Sequence, residues 1–281
     1  MSDPRTIVVK CGGAQGVAEG HVCADVAALL RDGRRVVLAH GGSADIDRLA
    51  ARLGVPQRRL VAPDGVVARY TDDATLEVLT LALAGAVKPR LVELLAREGV
   101  AAVGLTGLDG GLLLARRKAA QRALVDGRVV VVRDSHAGLL VGVNAQLLHA
   151  LLDAGFLPVV SPPALADDGG AVNVDADRAA AAVAAALGAA TLVLLTRARG
   201  VLRDPADEAS AMEVCTLPPS GPPPAWAEGG MALKLVAARE ALAQGVGEVI
   251  VGDGALERPV LEALAGAGTR IELERAQAVV A

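Results

Sequence analysis

Short apolar runs rich in β-branched residues alternate along this chain with longer stretches in which apolar residues recur at helical spacing. The runs predict strands, and the stretches between them predict helices. The predicted strands include Thr6–Lys10, Arg35–Ala39, Ala101–Leu105, Thr191–Leu195, Glu248–Val251 and Thr269–Leu273. The predicted helices include Gly20–Arg31, Ser43–Leu53, Asn144–Ala154, Ala176–Leu187, Ala232–Ala243 and Pro259–Leu264. Alternation of this kind predicts an α/β fold with a mainly parallel sheet covered by helices.

Three local features refine this pattern. Ser43 is predicted to cap the helix that begins there. Thr71 is predicted to cap a long helix that runs to Arg97 and that Gly85 and Pro89 bend or split. The segments LLLARRK and RVVVVR, at residues 112–118 and 128–133, are predicted to form a hairpin or a pair of antiparallel strands at the sheet edge.

The composition limits the classes of function. The chain has 281 residues, 53% of them apolar, which suffices for one large α/β domain or two lobes. We expect a cytoplasmic protein without a membrane span, because no uncharged apolar run reaches about 18 residues and no signal sequence is visible. Three widely spaced cysteines predict reduced thiols rather than disulfides or a zinc site. One Trp, one Tyr, one Phe and a net charge of −4 argue against a nucleic-acid partner.

Two segments rich in turn-forming residues bear on the domain organisation. ADDGGA, at residues 166–171, is predicted to separate an N-terminal lobe of residues 1–168 from a C-terminal lobe of residues 169–281. LPPSGPPPAWAEGG, at residues 217–230, is too short to link independent domains. We expect it to form a loop over a site, because open parallel sheets bind ligands beyond the carboxyl ends of their strands.

Two predicted strands end in glycine pairs. KCGG places Lys10 before Gly12 and Gly13, and AHGGS contains Gly41 and Gly42. Each pair alone is compatible with an ordinary turn, and the chain has neither a P-loop nor a dinucleotide fingerprint. Adjacent parallel strands that both end in bare N–H groups, one of them beside a lysine, would form a cradle for a phosphoryl group or a carboxylate.

Three further sets of polar residues stand beside predicted helix starts. Arg69 directly precedes the threonine-capped helix, where it could bind a substrate carboxylate or simply lie at the surface. Asn173, Asp175 and Asp177 stand at the start of an Ala-rich helix, where capping explains one of the aspartates but not all three residues. Lys234 is predicted in the first turn of a helix, where a cation opposes the helix dipole. This position suggests a bound anion, with a solvated lysine as the alternative.

Several motifs occur in the order seen in the amino acid kinase family. They are VVKCGG, AHGGS, ARYTDDATLEVLTLALAGAV, GLTGLDG, GFLPVVSPPA, NVDADRAAAAVA, LVLLTRARGVL and GGMALKLVAAREAL. The chain resembles the branch that contains N-acetylglutamate kinase. RYTDDATLEV, GLDG and NVDADRAAA are similar to kinases that phosphorylate 2-aminoadipate or glutamate while its amino group is attached to a small acidic carrier protein. The resemblance implies a three-layer α/β/α sandwich and the transfer of a phosphoryl group from ATP, with Mg²⁺, to a side-chain carboxylate.

The resemblance also implies roles at the reacting centre. Lys10 and Lys234 match the two lysines that stabilise the transferring phosphoryl group. Asp177 matches the acidic residue that organises them, while Asp175 stands where acetylglutamate kinases tend to have Asn. The backbone donors to phosphate and substrate match Gly12, Gly13, Gly41 and Gly42.

Substrate and nucleotide positions follow in the same way. Arg69 and Asn173 match residues that bind the α-carboxylate side of the amino acid. The segment LLTRARGVLRD, which contains Thr196 and Gly200, is expected to bind the nucleotide.

Two stretches concentrate positive charge in a chain that is net acidic. Residues 116–133 contain six basic residues against one acid, and residues 48–59 contain four arginines and no acid. We interpret them as a docking surface for an acidic carrier protein, with a solvated hairpin and a solvated helix end as the alternative. The candidate docking residues are Arg116, Arg117, Lys118 and Arg122.

Two other functions stay open. One is an N-acetyl-L-glutamate 5-kinase that acts on the free substrate, and the other is a catalytically silent amino-acid-binding regulator of the same fold. The lysine pair argues against the regulator, and the basic stretches argue against the free substrate. Because the first strand starts near residue 6, without the N-terminal helix associated with arginine-inhibited hexamers, we expect a homodimer formed through the N-terminal lobe.

Overall fold

A computed structural model describes residues 3–13, 16–63, 65–125 and 128–274. An open, mainly parallel sheet lies between two layers of helices. The strands are β1 (Asp3–Cys11), β2 (Arg35–His40), β3 (Arg59–Val61), β4 (Val67–Arg69), β5 (Ala102–Gly107), β6 (Leu113–Arg117), β7 (Gln121–Val125), β8 (Arg128–Val132), β9 (Gly138–Val143), β10 (Leu157–Ala166), β11 (Ala171–Val172), β12 (Ala189–Thr196), β13 (Val214–Leu217), β14 (Glu248–Asp253) and β15 (Thr269–Leu273). The helices are α1 (Glu19–Arg31), α2 (Ser43–Leu53), α3 (Asp73–Ala82), α4 (Lys88–Arg97), α5 (Ala145–Asp153), α6 (Ala176–Ala186), α7 (Gly229–Ala243) and α8 (Pro259–Leu264).

The described part of the main sheet has eleven strands. Its order is β13-β15-β14-β12-β1-β2-β10-β6-β9, with β5 and β11 also paired to β10. The central strands β14, β12, β1, β2 and β10 run parallel. The predicted three-layer α/β/α sandwich with an open, mainly parallel sheet is therefore confirmed, and antiparallel pairs occur where β9, β11 and β15 join.

The central strands are apolar along their whole length because both faces of the sheet are covered. In β1, Val8 packs into the core layer that contains α5, α6 and α7, whereas Ile7 and Val9 pack into the layer that contains α1 to α4 and α8. In β12, Leu194 and Val193 divide between the two layers in the same way. Side chains that alternate between two buried faces produce a continuous apolar run rather than an alternating one.

The long helix predicted between Thr71 and Arg97 is divided. A π-helical segment, Leu83–Val87, separates α3 from α4, and the Lys88 N–H donates to the Leu83 carbonyl five residues back. Pro89 follows directly and has no N–H with which to continue the helical bonding pattern. The split at Gly85 and Pro89 is confirmed, but the cap is Asp72 rather than Thr71, because the Asp72 carboxylate accepts from the Thr75 N–H.

The predicted edge hairpin has different partners in the structure. β6 pairs antiparallel with β9 rather than with β8. β8 instead pairs with β7, and the two strands form a separate two-stranded sheet beside β3. The prediction was wrong because β7, which lies in the polar stretch between the two segments, pairs with β8, and β9, which follows β8 in the chain, pairs with β6.

The proposed lobe boundary is a tight turn. Ala166 and Gly170 are hydrogen-bonded across it, and it joins β10 to the antiparallel β11. Both core layers contain residues from each side of this turn.

Among the described residues, no helix is long and apolar enough to cross a membrane.

Asp25 on α1 binds the start of α8, although the two helices are far apart in the sequence, and its substitution tests this contact. The buried carboxylate on α1 accepts from the N–H groups of Val260 and Leu261 at 2.9 and 3.0 Å, at the start of α8. Asp25→Ala is expected to lower the free energy of unfolding by about 1–3 kcal/mol, because both donors lose their partner away from water. The measurement is urea unfolding, with the exposed Asp32→Ala as the control. Equal stability of the two variants would contradict this account of how α8 is held.

Candidate active site

A cleft of about 660 Å³ opens at the carboxyl ends of the central strands. β1, β2 and β12 are consecutive neighbours in the sheet and run parallel, so their carboxyl ends meet at one edge. Residues at or just after these strand ends, including Gly12, Gly13, Gly41, Gly42 and Thr196, line this cleft. It lies where open parallel sheets bind their ligands.

The two glycine turns touch each other through their backbones. A Cβ atom on Gly13 would lie 2.3 Å from the Gly42 nitrogen, and the Ala44 N–H donates to the Gly13 carbonyl at 3.1 Å. No side chain fits between the turns. The two glycine turns are therefore adjacent, as predicted, and α2 begins directly after the second turn at Ser43.

Ser43 does not cap α2 as predicted. The N-cap is Gly42, which supplies no side chain. The Ser43 hydroxyl instead accepts from Nη2 of Arg69 at 3.2 Å. The start of α2 is thus left without a side-chain cap, as suits a helix end that faces an anion.

Two lysines and an aspartate meet on the floor of the cleft. Nζ of Lys10 lies 2.7 Å from Oδ1 of Asp177. Nζ of Lys234 donates to both carboxylate oxygens of Asp177 at 3.0 Å. The three residues are 5–7% exposed and come from β1, α6 and α7, which are far apart in the sequence. The fold thus brings together three residues that the sequence predicted to share one reacting centre.

The electrostatics of this group depend on Asp177. Burial favours the neutral form of each group, yet the two ammonium groups outweigh it and lower the pKa of Asp177 to about 2. For Lys10, burial acts to lower the pKa, but attraction to Asp177 is stronger and the pKa is raised. For Lys234, burial together with repulsion from Lys10 exceeds the pull of Asp177, and the pKa is lowered.

Asp175 has two functions in one position. Its carboxylate accepts from the Arg178 N–H at 2.9 Å and caps α6. It also lines the cleft, where burial and repulsion from Asp177 raise its pKa. The capping alternative therefore applies to Asp175, and Asp177 is the residue left for the lysines.

Lys234 lies one turn deeper in its helix than predicted. α7 begins at Gly229, so Lys234 is in the second turn rather than the first. Gly229 has a φ of +53°, which allows the chain to turn into the helix there. The dipole argument made from the sequence is weaker at this position, and the ion pair with Asp177 explains the buried lysine instead.

Arg69 and Asn173 both line the cleft, and both are held by the protein. Nη1 of Arg69 donates to Oδ1 of Asp47 at 2.7 Å and also to the side-chain oxygen of Gln57. Nδ2 of Asn173 donates to the Thr71 hydroxyl at 3.1 Å. Burial lowers the pKa of Arg69, and the bond to Asp47 opposes that effect.

The wall around Asn173 contains residues that the sequence patterns did not reveal. The backbone of His136 bonds the backbones of Thr71 and Asn173, both at 2.7 Å, and thereby joins three separate segments. Tyr70 adds a bond from its hydroxyl to Asp134 at 2.6 Å. The TDD motif offered a signal for this arrangement: once Asp72 is taken as the cap, Thr71 is free to contact Asn173.

The two predicted nucleotide residues differ in position. Thr196 lines the cleft at the end of β12. Gly200 is not among the lining residues and packs against Thr269, where an added Cβ would lie 2.5 Å from the hydroxyl oxygen. Its φ of +140° also requires glycine. Gly200 therefore shapes the segment after β12 from outside the cleft.

The basic residues proposed for docking fall into two groups. Lys118, together with Arg59 and Gln121, lines the mouth of the cleft. Arg116 and Arg122 are exposed and have no ion-pair partner among the described residues. The Arg117 side chain is already engaged within the protein, since it pairs with Asp168 at 2.5 Å and contacts His136.

In the other basic stretch, acids that lie outside residues 48–59 neutralise most of the charge. Three of its four arginines form ion pairs: Arg48 with Asp45, Arg58 with Asp72, and Arg59 with Asp47. The stretch at residues 48–59 is therefore less positive than its local sequence suggests.

The chain is similar in sequence to known proteins over nearly its whole length. The sequence model of the amino acid kinase family matches residues 5–253. Relatives named LysW-aminoadipate kinase, from Deinococcus radiodurans and Thermus thermophilus, are each 43% identical over 94% of this chain, and the alignments cover 90% and 98% of those proteins. The acetylglutamate kinase of a Synechococcus species is 36% identical over 95% of this chain and 83% of its own length.

Solved structures agree in fold. An N-acetylglutamate synthase from Neisseria gonorrhoeae, in complex with coenzyme A and N-acetyl-glutamate, superposes with a TM-score of 0.74 at 28% identity over 97% of this chain and 60% of that chain. Carbamate kinase from Giardia superposes with a TM-score of 0.63 at 17% identity over 97% and 100%. The second likeness concerns the fold alone.

Neutralising Asp177 tests the electrostatics of the cleft floor. Asp177→Asn is expected to lower the free energy of unfolding by about 3–5 kcal/mol at pH 7, because two buried ammonium groups lose their counter-charge. The folded-state pKa of Asp177, about 2, lies below the unfolded value of about 3.9, so the carboxylate stabilises the fold above about pH 4 and ceases to do so as the pH falls toward 2.

The measurement is urea unfolding of wild type and Asp177→Asn at pH 7 and at pH 3. The difference between the two proteins should narrow at pH 3. The control is Glu93→Gln, which removes a carboxylate from the exposed pair with Arg97 and should cost no more than about 1 kcal/mol at either pH. A difference that is the same at both pH values would contradict the assigned role of Asp177.

Proposed function

Because this chain belongs to the amino acid kinase family, we propose that it transfers the γ-phosphoryl group of ATP to the side-chain carboxylate of 2-aminoadipate or glutamate bound through its amino group to an acidic carrier protein. The product is an acyl phosphate. The observation that carries the proposal is the buried group of Lys10, Asp177 and Lys234 beside two glycine turns. The relatives named LysW-aminoadipate kinase support the choice of acceptor.

The chemistry needs charge neutralisation and alignment more than covalent help. An oxygen of the acceptor carboxylate attacks the γ-phosphorus, the bond to the β,γ-bridging oxygen breaks, and ADP leaves with that oxygen. The attacking carboxylate is already ionised, so no general base is required. An ammonium group has three N–H donors. Because Asp177 engages only part of the donors of Lys10 and Lys234, the others can bind the phosphoryl oxygens.

The charge states of the two lysines suit this task. The raised pKa of Lys10 keeps its ammonium charged at neutral pH. The lowered pKa of Lys234 marks a site where a further negative charge is favourable, and bound ATP would supply it. Nucleotide binding therefore completes the charge balance of the cleft floor.

The acceptor lies on the side of the cleft formed by β2 and β4. In this arrangement Arg69 and Asn173 bind the α-carboxylate side of the amino acid, and Gly41 and Gly42 donate backbone N–H groups. Asp47 and Ser43 hold the Arg69 guanidinium in place before the substrate arrives. Orientation of the acceptor is thus prepared by the protein.

ATP lies on the side formed by β1, β12 and α7, with Gly12 and Gly13 at its phosphates and Thr196 beside the nucleotide. Gly200 supports that segment from behind. In terms of function, residues 1–168 would bind the acceptor and form the homodimer, and residues 169–281 would bind ATP, although residues 275–281 lie outside the described part of the chain. The continuous core makes this a functional division within one folded unit.

Mg²⁺ enters this scheme as part of the nucleotide substrate. Among the described residues, no group of three or more His, Cys, Asp or Glu side chains is placed to hold a metal ion. Both oxygens of Asp177 bind Lys234, and Asp175 caps α6. The ion would therefore be held by phosphate oxygens and water, as Mg²⁺ commonly is with nucleotides.

The carrier protein would dock at the mouth of the cleft. Lys118 lies at that mouth, and Arg116 and Arg122 add exposed positive charge close by in the sequence. A free amino acid derivative needs no such surface, whereas an acidic protein is attracted by it. Arg117 is less suited to docking than the sequence suggested, because Asp168 already binds it. A cytoplasmic location fits this biosynthetic role.

The second candidate function is that of an N-acetyl-L-glutamate 5-kinase with a free substrate. The relative named acetylglutamate kinase, 36% identical over 95% of this chain, favours it. A non-catalytic regulator is disfavoured, because a protein that only binds an amino acid does not need two buried lysines beside a phosphate cradle.

Substrate choice and catalysis are tested together by ATP-dependent hydroxamate formation. Lys10→Ala and Lys234→Ala are each expected to reduce the rate by about 10²–10³-fold, because each removes a charge from the phosphoryl group in the transition state. The control is Lys88→Met, since Lys88 is also buried but lies over Gly104, outside the cleft lining. Its rate should stay within about threefold of wild type.

The acceptor in that assay decides between the functions. Turnover with carrier-bound aminoadipate or glutamate, but not with free N-acetylglutamate, is the expected result. Turnover with free N-acetylglutamate would replace the proposal by the second candidate function. Nucleotide binding without turnover on any acceptor would identify the regulator.

The docking surface has its own test. Arg116→Glu/Arg122→Glu is expected to raise the KM for the carrier-bound substrate about tenfold or more, with the KM for ATP unchanged and the effect weakened by salt. The control is Arg31→Glu/Arg97→Glu, which makes the same charge change at the C-terminal ends of α1 and α4. These ends lie at the opposite edge of the sheet from the cleft. Equal effects of the two double variants would contradict a specific docking site.

A further inference from the structure

Behind the two glycine turns, the helices that follow them are joined by one arginine. α1 follows the turn with Gly12 and Gly13, and α2 follows the turn with Gly41 and Gly42. Arg90, on α4, bonds acidic residues in the first turns of both helices. Neither helix has a side-chain N-cap bond of its own. The Arg90 side chain bonds residues near the starts of both helices and thereby links them.

The contact with α1 is the stronger of the two. Nε and Nη2 of Arg90 donate to the two carboxylate oxygens of Glu19 at 2.5 and 2.8 Å. Nη1 and Nη2 also donate to the buried carboxylate of Asp45 on α2 at 3.3 and 3.4 Å. Only the planar guanidinium can serve two carboxylates in this fork geometry, and a lysine offers a single point charge.

The π-helical segment that directly precedes α4 contacts the second turn. A Cβ atom on Gly42 would lie 2.7 Å from Cδ2 of Leu83 and 3.0 Å from Cγ2 of Val87, the two ends of the π-helical segment. Arg90 follows that segment by three residues, just after Pro89. The segment thus packs against the second turn, and Arg90, just after it, binds the start of α1, the helix that follows the first turn.

We propose that Arg90 is a positioning residue that fixes the distance between the nucleotide-side turn and the acceptor-side turn. This inference rests on the proposed function for the assignment of the two turns to the two substrates. Arg90 does not line the cleft and touches neither substrate in this scheme. It acts through Glu19 and Asp45, which lie in the first turns of α1 and α2.

In-line transfer is sensitive to the spacing between donor and acceptor. Each substrate binds mainly to its own turn, so a small change in their separation leaves binding of either one nearly intact. The same change misaligns the attacking oxygen and the γ-phosphorus, and a displacement of about 1 Å can cost about 100-fold in rate. Loss of Arg90 should therefore lower kcat more than it raises either KM.

The experiment compares Arg90→Met with Arg97→Met in the hydroxamate assay with the acceptor that wild type turns over. Arg97 lies on the same helix and pairs with Glu93, so both changes remove an arginine and an ion pair from α4. Arg90→Met is expected to lower kcat about 10- to 100-fold, with the KM for ATP and for the acceptor within about threefold of wild type. Arg97→Met should leave kcat unchanged.

Two further readouts separate positioning from a general loss of stability. Added guanidinium should restore part of the kcat of an Arg90→Ala variant, and Arg90→Lys should recover less than that, because it lacks the fork. A kcat within about twofold of wild type for Arg90→Met, or a rise in both KM values with kcat unchanged, would overturn the proposal.

Hydrogen exchange keeps the inference testable if the proposed function fails. In Arg90→Met, amides around Gly12 and Gly13 and amides around Gly41 and Gly42 should both exchange faster than in wild type, while Arg97→Met should change neither. If wild type makes no acyl phosphate from any acceptor, the proposed function is wrong and this measurement alone decides the role of Arg90. Unchanged exchange at both turns would then reject it.

Discussion

The Asp177 carboxylate offsets the cost of burying two ammonium groups, those of Lys10 and Lys234. Lys10 and Lys234 are almost fully buried, and their nitrogens lie 2.7 and 3.0 Å from the same carboxylate oxygen. A buried charge without a partner is costly, and removal of one partner is far more damaging than the pair is stabilising. Because the three groups come from β1, α6 and α7, they meet only when the sheet and both helices are in place. The cleft floor is thus a consequence of the whole fold.

The second constraint is the contact between the glycine turns. Gly13 and Gly42 approach so closely that a single Cβ would collide with the facing backbone. Parallel pairing of β1 with β2 brings the turns to the same edge, and the π-helical segment presses on Gly42 from the other side. Bare backbone at this point leaves N–H groups, rather than side chains, to define the shape of the cleft between the two turns. The charges of the cleft floor therefore come from Lys10, Asp177 and Lys234, whereas the glycine turns give the cleft its shape.

The sequence predicts the centre of the sheet better than it predicts the sheet edges. The central strands were recognised because residues such as Val8 and Val9 are buried on opposite faces and leave a continuous apolar run. The partner of β6 was not recognised, because β8 and β9 are both plausible partners and only the tertiary fold selects β9. The start of α7 was placed at Ala232 instead of Gly229, since two glycines read as a turn and not as helix. That error moved Lys234 into the first turn, although its role was assigned through the family motif.

Charge runs show the same limit of local sequence. The stretch at residues 48–59 contains four arginines and no acid, yet Asp45 and Asp47, just before it, and Asp72, further along the chain, pair with three of them. Arg117 is likewise matched by Asp168 from the turn after β10. Arg116 and Arg122 keep their charge without a partner among the described residues. Fewer basic residues are therefore unpaired in the folded protein than the sequence suggests. Arg116 lies on β6, just before Lys118 at the mouth of the cleft, and Arg122 lies on β7, just after it.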